Sequence, residues 1–158
     1  MADSLDWEKS IGFVLKREGG KVDNKMDRGG RTSYGVTQST FNDYRKSLKL
    51  PPKDVFEITD DEVKTIYKTR YWNVIDCDKL DGKYACVLFD LCVNSGSNRA
   101  KKYHSIAKGN VGKLIELRRA FYNKIVQNDA SQKVFLNGWM NRIDELEKYV
   151  AAWDLIKF

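Results

Sequence analysis

Apolar residues recur at helical spacing over most of this chain, and the breaks in that pattern mark its elements. Trp7, Ile11, Val14 and Leu15 fall at i, i+4, i+7 and i+8, the stripe of an amphipathic helix. Asp3 and Ser4 precede it as capping candidates, and Gly19 and Gly20 stop it. From Lys21 to Thr37 the period disappears. Gly29, Gly30 and Gly35 punctuate a polar stretch there that reads as a loop followed by a short β-hairpin, the one β segment expected.

Helical pattern resumes with Phe41, Tyr44 and Leu48, breaks at Pro51 and Pro52, and restarts behind Thr59 and Glu62, which are spaced as a capping box. That helix carries Val63, Ile66, Tyr67, Arg70 and Tyr71. The next places Ala85, Leu88, Phe89, Cys92 and Val93 on one stripe and is apolar enough to be the central buried helix. Three more helical stretches follow: 98–107, then 111–126 with Leu114, Ile115, Arg118, Phe121, Tyr122 and Ile125, then a last one with Trp139, Ile143, Leu146 and Val150. The class is mainly α, with several helices and one small hairpin near residues 21–37. A length of 158 residues is enough for one core and short for two independent domains.

Composition narrows the function classes. Charged residues make up 32% of the chain with both signs interspersed, and only 2 prolines occur, so neither a disordered tail nor a long linker is signalled. The net charge of +6 favours a polyanionic partner such as nucleic acid, anionic lipid or acidic wall polymer. With no zinc-finger spacing, aromatic RNA-reading motif or basic helical block, nucleic acid is not the expected partner. Three cysteines (Cys77, Cys86, Cys92) and a single histidine argue against a disulfide framework and against a Cys/His zinc site, so no metal or cofactor is expected. Cys86 and Cys92 read as small core residues, and His104 as a satisfied surface histidine. The N-terminal segment lacks the basic and apolar regions of a signal peptide, and no stretch reaches membrane-spanning length. Synthesis in a cytoplasm is therefore expected, and a target outside it requires another agent to open the way.

One acidic residue stands out. Glu18 extends the first helix's stripe, lying at i+4 from Val14 and i+7 from Ile11. A carboxyl on the buried side of a helix end is costly unless paired or protonated, and burial raises its pKa as a general acid near neutral pH requires. On position alone, pairing with Arg17, Arg28 or another cation is the simpler reading. The sequence that follows, E18-G-G-K-V-D-N-K-M-D27-R-G-G-R-T32-S-Y-G35, alters that balance. Glycoside hydrolysis takes one carboxyl to protonate the leaving oxygen and a second group to activate water or to attack the sugar. Asp27 and Thr32 are candidates for that second function, with a turn residue and a strand residue as the plainer alternatives.

EGG followed by D-x-G-G-x-T-x-x-G resembles the glycoside hydrolase family 108 N-acetylmuramidases, whose motif glutamate is the proposed acid. More loosely, the order Glu, Asp, Thr is similar to the catalytic triad of phage T4-type lysozymes, with Asp27 nine residues beyond Glu18 as in that group and Thr32 one residue earlier. Y67-K-T-R-Y-W72 and V87-L-F-D-L-C-V-N-S-G96 resemble two further helix ends of family 108, and R119-A-F-Y122 with F135-L-N-G-W-M-N-R142 resembles its helical peptidoglycan-binding tail. After Gly96 the chain departs from the family, reading A100-K-K-Y-H104-S where a Leu-Gln pair is usual.

The resemblance implies a lysozyme-like fold, with a catalytic region over 1–96 and a peptidoglycan-binding-like region over 97–158 packed against it as one unit. It implies catalysis by Glu18, Asp27 and Thr32, and contact with glycan strands by Tyr34, Gln38, Tyr71, Trp72 and Asn94. The implied activity is hydrolysis of the β-1,4 bond between N-acetylmuramic acid and N-acetylglucosamine. The implied setting is a monomeric phage or prophage endolysin that relies on a separate membrane-permeabilising protein. A lytic transglycosylase and a non-catalytic wall-binding protein are the alternatives on the same fold.

Overall fold

The computed structural model describes residues 1–24 and 30–157, and the chain forms two compact units, Met1–Phe13 with Tyr71–Phe158, and Val14–Arg70. Among the described residues there are seven α-helices and one three-stranded antiparallel sheet, the mainly α class the sequence implies.

Helix α1 (Ser4–Arg17) begins at a reciprocal cap. The Asp6 N–H donates to Asp3 Oδ1 at 2.9 Å, and the Asp3 N–H donates to Asp6 Oδ2 at 3.0 Å, so two otherwise orphaned donors are satisfied. Lys16 and Arg17 close the last turn, where positive charge suits the helix dipole. Trp7, Ile11, Phe13 and Val14 are buried, whereas Leu15 is only half-buried.

In the unit Val14–Arg70, β1 (Lys21–Asn24), β2 (Gly30–Ser33) and β3 (Val36–Thr37) pair antiparallel in that order. The expected hairpin is therefore extended by a third strand, pairing Thr32 with Thr37 and Ser33 with Val36. The β2–β3 turn consists of Tyr34 and Gly35, both at positive φ (52° and 77°), as tight hairpin turns that match strand twist require. Thr37 then caps α2 (Gln38–Ser47), its side chain accepting from the Thr40 N–H. Helix α3 (Asp60–Tyr67) opens on the expected capping box of Thr59 and Glu62, and a π-helical stretch, Lys68–Trp72, follows it.

In the other unit, α4 (Gly82–Ser95) is buried continuously from Tyr84 to Cys92 and is the central helix. Helices α5 (Ser97–Ala107), α6 (Val111–Asn128) and α7 (Lys133–Ala151) pack on it. Because α4 gathers these three helices, the compact units do not divide at residue 96. Trp7, Trp72 and Phe89 meet edge to face with centroids 5.2–5.5 Å apart.

One buried carboxylate, Asp90 (0% exposed), sits between Arg118 and Arg142. Arg142 Nη2 donates to Asp90 Oδ1 at 2.7 Å. Arg118 Nη2 forms an ion pair with Asp90 Oδ2 at 2.9 Å. Burial alone pushes the Asp90 carboxyl up, but the two guanidinium charges outweigh it and hold the pKa below the usual carboxylate value.

Cys77, Cys86 and Cys92 are buried, and burial pushes Cys92 up to about 11, which suits core residues rather than reactive ones. His104 is half-buried, not the surface residue expected, because its Nδ1 lies 2.8 Å from the buried Tyr84 hydroxyl. Among the described residues no helix is long and apolar enough to cross a membrane.

Candidate active site

Glu18 follows the last turn of α1, its N–H still donating to the Val14 carbonyl at 3.1 Å. Helix α1 thus fixes where its half-buried carboxylate starts, and the β2–β3 turn meets it. A Cβ added to Gly35 would stand 2.8 Å from Glu18 Oε2 and 2.5 Å from the Tyr67 hydroxyl, both closer than a real Cβ tolerates. Glycine suits position 35 for its positive φ, and any larger residue would also displace the ends of the Glu18 and Tyr67 side chains. The Tyr67 hydroxyl, at the end of α3, donates to the Tyr34 carbonyl at 2.8 Å and ties that helix to the turn. The Glu18 carboxylate and the Tyr67 hydroxyl thus both lie against the side-chain-free face of Gly35.

Thr32 is half-buried on β2, three residues before Gly35, opposite Val22 and Thr37. Alternation along the strand puts Arg31 and Ser33 on the other face. There Arg31 stacks 3.9 Å above the Phe56 ring and pairs with Asp54 at 2.7 Å and Asp23 at 3.4 Å. Asp27 lies outside the described residues, as do Arg28 and Gly29.

A family model described as Glycosyl hydrolase 108 matches residues 11–96, more than half of the chain. The chain belongs to the glycosyl hydrolase 108 family. This family 108 protein is a glycoside hydrolase, and peptidoglycan is the substrate consistent with that membership. A solved structure of SagA from Brucella abortus is similar in fold, with a TM-score of 0.70 at 23% identity, covering 92% of this chain and 94% of that one. None of the curated proteins matches it.

The other expected contact residues of this family 108 enzyme have different fates. Tyr34 has an exposed ring at the turn. Gln38 uses its amide within the protein: Nε2 donates to Asn42 Oδ1 at 2.9 Å and to the Lys53 carbonyl at 2.8 Å, and Oε1 accepts from the Val55 N–H at 2.8 Å. Its observed work is to pin the 53–55 segment to α2. Tyr71, Trp72 and Asn94 belong to the other compact unit.

Trp72 needs correction. Its ring is fully buried between Trp7 and Phe89, and its Nε1 donates to Asp78 Oδ1 at 2.8 Å. A ring with no exposed face does not cover a sugar, so Trp72 is a core residue. Tyr71 is half-buried, and Asn94 is exposed at the end of α4, its Nδ2 donating to the Tyr122 hydroxyl. Tyr67 reads in the sequence as part of an apolar stripe, yet its hydroxyl shares the Gly35 face with the glutamate. The only signal was its polar tip at a helix end, since its bonding partner Tyr34 is 33 residues away.

Proposed function

We propose that this protein is an N-acetylmuramidase that cleaves the β-1,4 bond between N-acetylmuramic acid and N-acetylglucosamine in peptidoglycan. The observation that carries the reading is the half-buried Glu18 carboxylate set against the side-chain-free face of Gly35 and the Tyr67 hydroxyl. Glu18 protonates the glycosidic oxygen as the bond breaks. Asp27, nine residues further on and supported by Thr32, positions and activates the water that attacks the anomeric carbon from the opposite face, which inverts its configuration. Asp27 enters on the spacing of the motif.

Tyr34, Tyr71 and Asn94 supply exposed or half-exposed contacts for sugar faces, hydroxyls and acetamides. Residues 97–158 add affinity for the wall. The protein acts as a monomer in the manner of a phage or prophage endolysin, reaching the wall once a separate membrane-permeabilising protein opens the way.

The test is a turbidity assay on purified sacculi, followed by mass spectrometry of the new ends. Glu18→Gln is expected to lose at least a hundredfold in rate, the lower range for removing a general acid, and Asp27→Asn to lose activity with the fold intact. Reducing N-acetylmuramic acid ends support hydrolysis. Anhydro-muramic ends would assign a transglycosylase instead, and undiminished lysis by Glu18→Gln would remove the glutamate from the mechanism.

A further inference from the structure

A hollow of about 420 Å³ opens between α5 and α6. Its floor is apolar, formed by Leu117, Phe121 and Ile125, and its banks carry three cations, Arg99 and Lys102 from α5 and Lys124 from α6. No carboxylate lines it. Elsewhere on α6 the cations are neutralised: Lys113 by Glu116 at 3.6 Å, Arg118 by Asp90, and Arg119 by Asp144 at 2.8 Å and Glu147 at 3.4 Å. Arg99, Lys102 and Lys124 have no acidic partner within ion-pair distance among the described residues. Arg99 instead lies 3.8 Å above the Phe121 ring, which holds its guanidinium over the hollow.

We propose that this hollow binds the stem peptide of peptidoglycan, a short chain of alternating methyl side chains and free carboxylates. The inference rests on the muramidase reading and adds to it a second foothold on the substrate. The chemistry is complementary: uncompensated cations on both banks suit carboxylates leaving a peptide on either side, and a floor of aliphatic and aromatic carbon suits alanine methyls. A lipid surface is a poorer match. Side chains that enter a bilayer interface project from a helix face, whereas Leu117, Phe121 and Ile125 are half-buried and line a concavity.

The experiment titrates the full chain with a synthetic stem tetrapeptide bearing free carboxylates, followed by calorimetry and by amide chemical shifts. Saturable binding is expected, with shifts centred on α5 and α6. Arg99→Ala and Lys124→Ala should each weaken it about fivefold, the upper range for a solvent-facing charge pair. Amidating the peptide's carboxylates should weaken it further, and added salt should do the same. Absence of saturable binding, or binding unchanged in the Arg99→Ala/Lys124→Ala double variant, would overturn the proposal. So would binding to phosphatidylglycerol vesicles that depends on these two residues while the peptide does not bind. The Glu18→Gln protein is expected to bind the tetrapeptide like the parent, so loss of the catalytic reading and loss of this one give different results.

Discussion

Replacing Asp90 with asparagine keeps the shape of the side chain and removes the one negative charge between Arg118 and Arg142. The aspartate is 0% exposed, and the side chains of Arg118 and Arg142 are 1% and 16% exposed, so solvent screens this cluster very little. Breaking a buried ion pair from one side costs about 3–5 kcal/mol, because the remaining charge is left uncompensated. Arg118 is the side chain at risk: none of its three nitrogens has a hydrogen-bond partner among the described residues, so the Coulombic contact with Asp90 is its main compensation. For a chain of this length, about 4 kcal/mol lowers Tm by roughly 10 °C.

The assay is urea unfolding at pH 7 with a thermal melt by circular dichroism. The sign of the pH dependence follows from the lowered pKa of Asp90. Its contribution is complete above the unfolded carboxylate value, about 4, and fades as pH falls through the depressed folded value. The gap between parent and Asp90→Asn should therefore narrow in acid. A loss under about 1 kcal/mol at neutral pH would refute the account, since Asp90 would then not be neutralising Arg118. As a control, Asp90→Leu combined with Arg118→Met should be milder than Asp90→Leu alone, because the double variant leaves no fully buried charge, and Arg142 can reach water.

Two further substitutions test the site and the core. Gly35→Ala forces a side chain into positive φ and against Glu18 Oε2 and the Tyr67 hydroxyl. It is expected to cost about 1 kcal/mol of stability while wall lysis drops by at least tenfold, and full activity in a folded Gly35→Ala protein would show that this face is not where substrate approaches. Trp72→Ala should cost about 3–5 kcal/mol in urea unfolding, the range for emptying a buried tryptophan site. A raised KM with unchanged stability would instead return Trp72 to the sugar.

Much of the fold is legible because its signals are local. The α3 capping box lies within four residues, and the stripe of α4 repeats within two turns. Strand β3, only two residues long, is too short to show alternation, and the π-helical stretch Lys68–Trp72 has no sequence period of its own. At the site, Glu18 is legible as a carboxyl that breaks an apolar stripe. By the same logic Asp90 and Arg118, each a charge inside an apolar helix, signal that they need one another, but helical spacing does not say which cation meets which anion across the chain. Trp72 shows the opposite hazard: an aromatic beside a helix end reads equally as ligand or as core, and only its zero exposure decides.

The first helix has its anchors at the far end of the chain. Lys9 Nζ donates to the Trp153 carbonyl at 2.7 Å, the Tyr149 hydroxyl donates to the Lys9 carbonyl at 2.7 Å, and Trp153 Nε1 donates to Asp6 at 3.1 Å. Residues some 140 positions downstream must therefore be made before this helix can be locked in place. Any fragment that stops short of residue 149 lacks all three contacts and leaves the first helix without them.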